Sequence, residues 1–393
     1  MRGTLALAVL SALLLIAFQP AHAQSETVLY SFGNQSGDGE WPIAGLIMDK
    51  KGNLYGTTSE GGVYGYGTVF ELSGTGTETV LYSFGSQFGD GYEPTSLIMD
   101  RKGNLYGTTI LGGTYGNGMA FKLVPPAKKS GAWTETVLHN FGSQSGDGSS
   151  PCPVIDDQGN LYGTTYRGGA YGYGTVFELS PTGTETVLYS FGGQPDGANS
   201  SAGLIMDKEG SFYGTTYDGG AYGYGTVFEL SSTGTETVLY SFGSQSGDGA
   251  NPYAGLIMAR KGNLYGTTVN GGVDGEGTVF ELSAAGKETV LYSFTDGPSD
   301  GKDPYAGLVM DGKGNLYGAT LNGPGTNHGA VFELSPGRKG GAWTFTSLHA
   351  FDSGTGDGLF PYGTLILDKE GNLYGTTFRG GANNEGTVFK VTP

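Results

Sequence analysis

Seven near-copies of one phrase govern what this chain can fold into. "GNLYGTT" begins at Gly52, Gly103, Gly159, Gly262 and Gly371, with the variants "GSFYGTT" at Gly210 and "GNLYGAT" at Gly314, at spacings of 51, 56, 51, 52, 52 and 57 residues. An apolar run such as "AGLIMD" (44–49) precedes each copy, and "GTVFEL" or a close variant follows it. "TVLYSF" or a degenerate form, such as "TSLHAF" (346–351), also occurs seven times. Four short β-like runs in a period of about 50 residues match a propeller blade, and seven copies lie within the range that closes a ring. "GLIM" is apolar on both faces, as expected of a strand held between neighbouring blades. "TVLYSF" alternates, which puts Val28, Tyr30 and Phe32 on one face and Thr27, Leu29 and Ser31 on the other. The expected fold is all-β: a seven-bladed β-propeller of four-stranded blades, one domain over residues 24–393.

The first copy of the last element stands alone. "SETVLYSF" (25–32) follows no "GTVFEL", whereas the chain ends on "GTVFKVTP" (386–393) with no outer strand after it. With "AGLIMD" innermost, the seventh blade lacks its rim strand. The segment 26–32 is expected to supply it, closing the ring and covering an edge otherwise open to association.

Residues 1–23 read as a leader. Arg2 is followed by the apolar run Leu5 to Phe18 and by Ala21-His22-Ala23, a small-residue cleavage pattern. A membrane-spanning helix needs about 20 apolar residues, and Pro20 ends this run earlier. The chain is therefore expected to be secreted, extracellular or periplasmic, after cleavage near Ala23, with no membrane insertion. Removing Arg2 with the leader takes the net charge from −17 to −18, which disfavours nucleic acid as a partner. One cysteine, Cys152, excludes an internal disulfide framework. The 76 glycines follow no collagen period, and 12% aromatic residues argue against disorder.

The repeat unit "NLYGTTxxGGxxGxGTVFELS", with "TVLYSF" and "DGxxPxAGL", resembles the GloVer tandem repeat of exported bacterial proteins, the choice-of-anchor family. The resemblance covers essentially all of 25–393. It implies an extracellular or surface location, and it brings neither an established activity nor catalytic residues. Members of that family often carry a C-terminal sorting anchor, whereas this sequence stops at Pro393.

Function is sought where the repeat is broken. In a four-stranded blade the "GGxxGxG" loops and the "SGDGxxP" loops share one face. The insertions 125–133 and 336–343 belong to the opposite one. The glycine-rich loop leads into a strand, not into a helix whose N-terminus would hold a phosphate, so its glycines serve the turn. Its tyrosines are uneven. Blades one to four carry Tyr64, Tyr66, Tyr115, Tyr171, Tyr173, Tyr222 and Tyr224; later loops carry Asp274 and Glu276, then Asn327 and His328, then Asn383, Asn384 and Glu385. An aromatic arc beside a polar one suits sugar stacking with flanking hydrogen bonds. The competing reading is that these tyrosines pack loop against loop.

One aspartate per blade (Asp38, Asp90, Asp147, Asp196, Asp248, Asp300, Asp357) precedes a glycine. Near the axis such a ring would attract a cation; as Asp-Gly it is turn chemistry, and the turn reading is preferred. No His cluster has metal-ligand spacing: His139 and His349 replace the Tyr of "LYSF" in blades two and six, too far apart for one site. Singular charges on the loop face include Glu40, Glu60, Glu93, Arg167, Asp218, Asp274, Glu276 and Arg379, among which an acid/base pair is open. Cys152 reads as a packing residue. The leading function is a non-catalytic binding module for a carbohydrate or an extracellular protein, with no cofactor and no metal. The alternatives are a lyase or hydrolase acting on a polysaccharide, and a structural or surface-display protein.

Overall fold

The computed structural model describes residues 25–128, 131–156, 159–295, 300–323, 328–352 and 356–393; the leader lies outside them. Seven antiparallel sheets form the blades of a β-propeller. Blade 1 runs from Ile47–Met48 through Leu54–Thr58 and Thr68–Leu72 to Glu78–Ser83, from axis to rim, and the later blades repeat that order. The blade 7 sheet ends on strand Ser25–Ser31, which pairs antiparallel with Thr387–Thr392, Ser25 opposite Thr392 and Thr27 opposite Lys390. The clasp expected from the sequence is therefore present.

The inner strand is shorter than its apolar pattern predicts. It spans two residues in blades 1, 4, 5, 6 and 7, and runs long only as Gly91–Met99 and Gly148–Ile155 in blades 2 and 3. Upstream of the short strands, Trp41, Asn199, Asn251, Asp303 and Phe360 have φ between 56° and 61°, a left-handed conformation that turns the chain out of extended geometry; Glu93, at 58°, adopts it within the long blade 2 strand. The alternation of "TVLYSF" also breaks. Each of the seven outer strands carries a bulge between its Val or Ser and its aromatic residue, as between Val80 and Tyr82. Leu29 and Tyr30 consequently both pack on the same core cluster. A bulged rim strand is a poor template for a further strand.

Two side-chain series join the blades. The Phe ending each outer strand meets the Phe of "TVF" in the next blade edge-on: Phe32–Phe70, Phe84–Phe121, Phe141–Phe177, Phe191–Phe228, Phe242–Phe280, Phe294–Phe332 and Phe351–Phe389, with centroids 5.1–5.4 Å apart. All of the first twelve are fully buried. The first Thr of "GTT" donates across the seam to a backbone carbonyl, as in Thr57 to Pro94 (3.1 Å), Thr164 to Ala202 (2.7 Å) and Thr376 to Ala44 (3.0 Å). Blade 6 has Ala319 at this position. Its seam to blade 7 instead uses Thr364, whose hydroxyl accepts from the Gly307 amide at 3.0 Å. Two departures from the repeat thus compensate each other.

Candidate functional site

The two families of loops do share a face. Gly39–Glu40, from the "SGDG" loop, pairs with Glu60–Gly61 from the glycine-rich loop, and blades 4 and 5 repeat the pairing. The glycine-rich loop is anchored from three sides. Its first turn donates to the Ser of "LYSF", as in Ala170 to Ser190 Oγ (3.2 Å) and Ala221 to Ser241 Oγ (3.1 Å). Its closing glycine, such as Gly67 at φ 96°, runs so close to the Thr58 carbonyl that no Cβ fits. The carbonyls of Tyr66, Tyr173 and Tyr224 accept from the amides of Glu93, Asn199 and Asn251 in the next blade at 3.3, 2.8 and 2.8 Å.

On this fixed loop all seven tyrosines singled out by the sequence stand in solvent, with relative exposures from 44% to 66%. The second of each pair rests on a glycine beyond the outer strand: Tyr66 on Gly85, Tyr173 on Gly193, Tyr224 on Gly243. A Cβ at Gly85 would overlap the Tyr66 ring. Asn117 and Glu385 take the same seat on Gly142 and Gly33. The tyrosines thus lie over the outer strands, along an arc of the perimeter. Tyr171 overhangs a groove of about 580 Å³ floored by Val187, Leu188 and Ser190.

The sequence reading missed a second aromatic group. The residue two before the "GL" of the inner run is Ile43 in blade 1 but Tyr253, Tyr305 and Tyr362 in blades 5 to 7. Those three rings meet one another at 5.1, 5.4 and 6.0 Å, and Tyr217 joins them 6.2 Å from Tyr253. Contact between rings of blades 5 and 7 places the group at the axis. Burial raises the Tyr362 phenol far above its usual range, helped by the Tyr253 and Tyr305 phenols.

Some of the singular charges come together. Glu40 and Glu60 face each other directly across their two-residue pairing. Burial, and then the charges of Glu385, Glu60 and Asp38, raise the Glu40 carboxyl; burial and Glu60 raise Glu93. Like charges directly opposite are unfavourable in a sheet. Arg379 lies over the Trp41 ring at 4.5 Å, and burial raises the Asp218 carboxyl beside Tyr166 and Tyr217. Asp274 and Glu276 stay in their own blade 5 loop and join neither group.

The seven aspartates do not converge at the axis. Asp38 accepts from the Gly39 amide (2.8 Å), the Asn34 amide (2.9 Å) and the Tyr30 hydroxyl of the outer strand (2.8 Å). The same turn recurs at Asp90, Asp196, Asp248 and Asp300, and at Asp147 and Asp357 a histidine replaces the tyrosine. They are turn residues at the perimeter. Beside most of them sits the Glu that opens the next outer strand. Burial first, and the adjacent aspartate second, push Glu78, Glu135, Glu185, Glu236 and Glu288 up to about 7.

This has a sign. Between the ordinary carboxyl range, about 4.3, and about 7 the unfolded chain has released protons that the folded chain keeps. Unfolding free energy therefore falls as pH rises. Melting temperature is expected to be higher at pH 5 than at pH 8, with Glu78→Gln reducing the difference. A melting temperature that rises over that interval contradicts the reading.

The profile of the Gloeobacter/Verrucomicrobia repeat matches residues 15–152, 127–310 and 296–393, covering the ring from clasp to last strand. The chain belongs to the Gloeobacter/Verrucomicrobia repeat family. No curated protein matches this repeat protein. Solved structures do. An ancestral GH74 enzyme superposes at TM-score 0.60, with 10% identity over 90% of this chain and 47% of its own. The extracellular domain of a proposed one component system from B. thetaiotaomicron gives 0.55 and 12%, over 93% and 40%. A proposed 6-phosphogluconolactonase from Bacteroides uniformis gives 0.50 and 16%, over 85% and 88%. The repeat protein thus spans less than half the length of the first two, and at these identities the likeness concerns the propeller fold.

Proposed function

We propose that this repeat protein is an exported, non-catalytic binding module that takes a carbohydrate chain on its glycine- and tyrosine-rich loop face. One observation carries the reading: large exposed hydrophobic side chains gather there as tyrosines, seven of them on loops fixed by backbone and serine hydrogen bonds. An exposed phenol ring on a rigid support stacks on a sugar face with little loss of conformational freedom. The arc from Tyr64 to Tyr224 runs along four consecutive blades, which suits an extended chain better than a single sugar. Nucleic acid is disfavoured by the net charge of −17. Export rests on the leader, with the mature chain beginning at Gln24.

The test is a glycan and polysaccharide array followed by titration. Changing Tyr171, Tyr173, Tyr222 and Tyr224 together to Ala is expected to weaken binding at least about tenfold, since an aromatic contact contributes roughly 0.5–1.5 kcal/mol. The melting temperature should change little, because all four rings are exposed. A large loss of stability with unchanged affinity would make them packing residues instead.

The Glu40–Glu60 pair favours a second reading, hydrolysis or elimination on a polysaccharide. A carboxyl raised by burial beside a second carboxylate has the form of an acid/base pair. Turnover of a bound polysaccharide, lost in Glu40→Gln, would select it over simple binding.

A further inference from the structure

The two histidines that interrupt the outer strands lie in equivalent places, and each is surrounded by ligand-type groups. His139 ends the outer strand of blade 2. Its Nε2 lies 3.1 Å from Oδ2 of Asp147, in the loop leading into blade 3, and 3.9 Å from Oε2 of Glu185, at the start of the blade 3 outer strand. One ligand atom from each residue lies within 4.8 Å of the others. At the seam of blades 6 and 7, His349 repeats the arrangement with Asp357, at 3.4 Å, and with Glu26 of the clasp strand.

The imidazole is what these two clusters add to a setting that other blades share. The Glu185 side chain is fully buried, yet its Oε1 has no hydrogen-bond partner, a state shared by Glu78, Glu135 and Glu236 of other blades, where no imidazole stands beside it. Glu26 Oε1 is likewise buried and unpartnered. The carboxylates are themselves oriented: Gln144 donates to Glu185 at 2.8 Å, and the Gly142 and Ser143 amides donate to Asp147 at 2.8 and 3.0 Å.

We propose that His139, Asp147 and Glu185 bind a divalent transition ion of the zinc type, and that Glu26, His349 and Asp357 form a twin site at the ring closure. Zinc bonds to nitrogen and oxygen of about 2.0–2.2 Å place neighbouring tetrahedral ligands roughly 3.3–3.5 Å apart. The separations of 3.1 and 3.9 Å bracket that spacing. His139 is 10% exposed, which leaves a solvent side for exchange and for a water as fourth ligand. In five other blades the position is a tyrosine, Tyr30, Tyr82, Tyr189, Tyr240 or Tyr292, whose hydroxyl donates to the aspartate at 2.8–3.0 Å. The substitution of Tyr by His is what converts a turn into a ligand set.

The same comparison supplies the variants. His139→Tyr and His349→Tyr restore the residue of the other blades, so both are expected to fold. The mature protein, stripped with chelator and dialysed, would be titrated with zinc chloride by calorimetry, and its melting temperature recorded with and without zinc. The expected stoichiometry is two zinc ions for the wild type, one for either single variant and none for the double variant. Zinc should raise the wild-type melting temperature by several degrees and leave the double variant unmoved, because a ligand of the folded state alone stabilises it. One zinc, lost in His139→Tyr, would keep the first site and overturn its twin. No zinc bound by the wild type, or equal binding by the double variant, would overturn the proposal and leave both clusters as ion pairs of imidazolium and carboxylate.

Discussion

Removing residues 25–32 is expected to lower the melting temperature by on the order of 10 °C and to produce association. The strand contributes six paired positions to the blade 7 sheet. It also contributes Phe32, which is fully buried and meets Phe70 edge-on across the closing seam. Truncation of a buried Phe alone costs roughly 3–5 kcal/mol, and Leu29 and Tyr30 leave the same cluster with it. A loss of about 4 kcal/mol corresponds to roughly 10 °C at 2–4 °C per kcal/mol in larger domains. The bared edge, Thr387–Thr392, then offers its backbone groups to another chain. Moving residues 25–32 to follow Pro393 through a short linker should restore both stability and the wild-type association state. That permutation separates loss of the strand from loss of a free N-terminus. A deletion as stable and as dispersed as the wild type would show that the ring does not depend on its clasp.

The second large effect is expected inside the seams. Phe177→Ala should destabilise by about 3–5 kcal/mol, read as a denaturant midpoint shift with unchanged slope. The Phe177 ring is fully buried and lies 5.2 Å from Phe141. Phe141→Ala removes the same contact from the other side. The double variant should therefore cost less than the sum of the two, by a coupling within the range of 0.5–1.5 kcal/mol for aromatic pairs. Strict additivity would mean that the edge-on contact is incidental.

Much of the architecture was legible because each blade repeats the same local chemistry. The period, the four runs and the unpartnered "SETVLYSF" together determine the ring and its closure. What escaped were features that depend on neighbours distant in sequence. The bulge in every outer strand is invisible to a period-two reading, since only the partner strand shows which residue is extra. The axial tyrosines were visible as "PY" at Tyr253, Tyr305 and Tyr362, but nothing in the linear pattern says that blades 5 and 7 touch there. The histidines visibly interrupt "LYSF", but no ligand spacing in the sequence marks them. Their carboxylates come from the following loop and from the next outer strand, so that Glu185 lies far along the chain from His139, and Glu26 lies at the opposite end of it from His349. The perimeter position of the aspartates follows from their bonds to outer-strand tyrosines, which a count of one per blade does not reveal.

The pairing of Thr27 with Lys390 imposes an order on the molecule's birth. The strand that completes blade 7 is synthesised about 360 residues ahead of its partner. At about 5–20 residues per second, its backbone groups wait tens of seconds for a sheet to join. Blades formed early can assemble on one another as they appear, but the circle closes only once Thr387–Thr392 has emerged. Until then the nascent protein is an open arc of blades, with both edges of the unfinished ring unpaired.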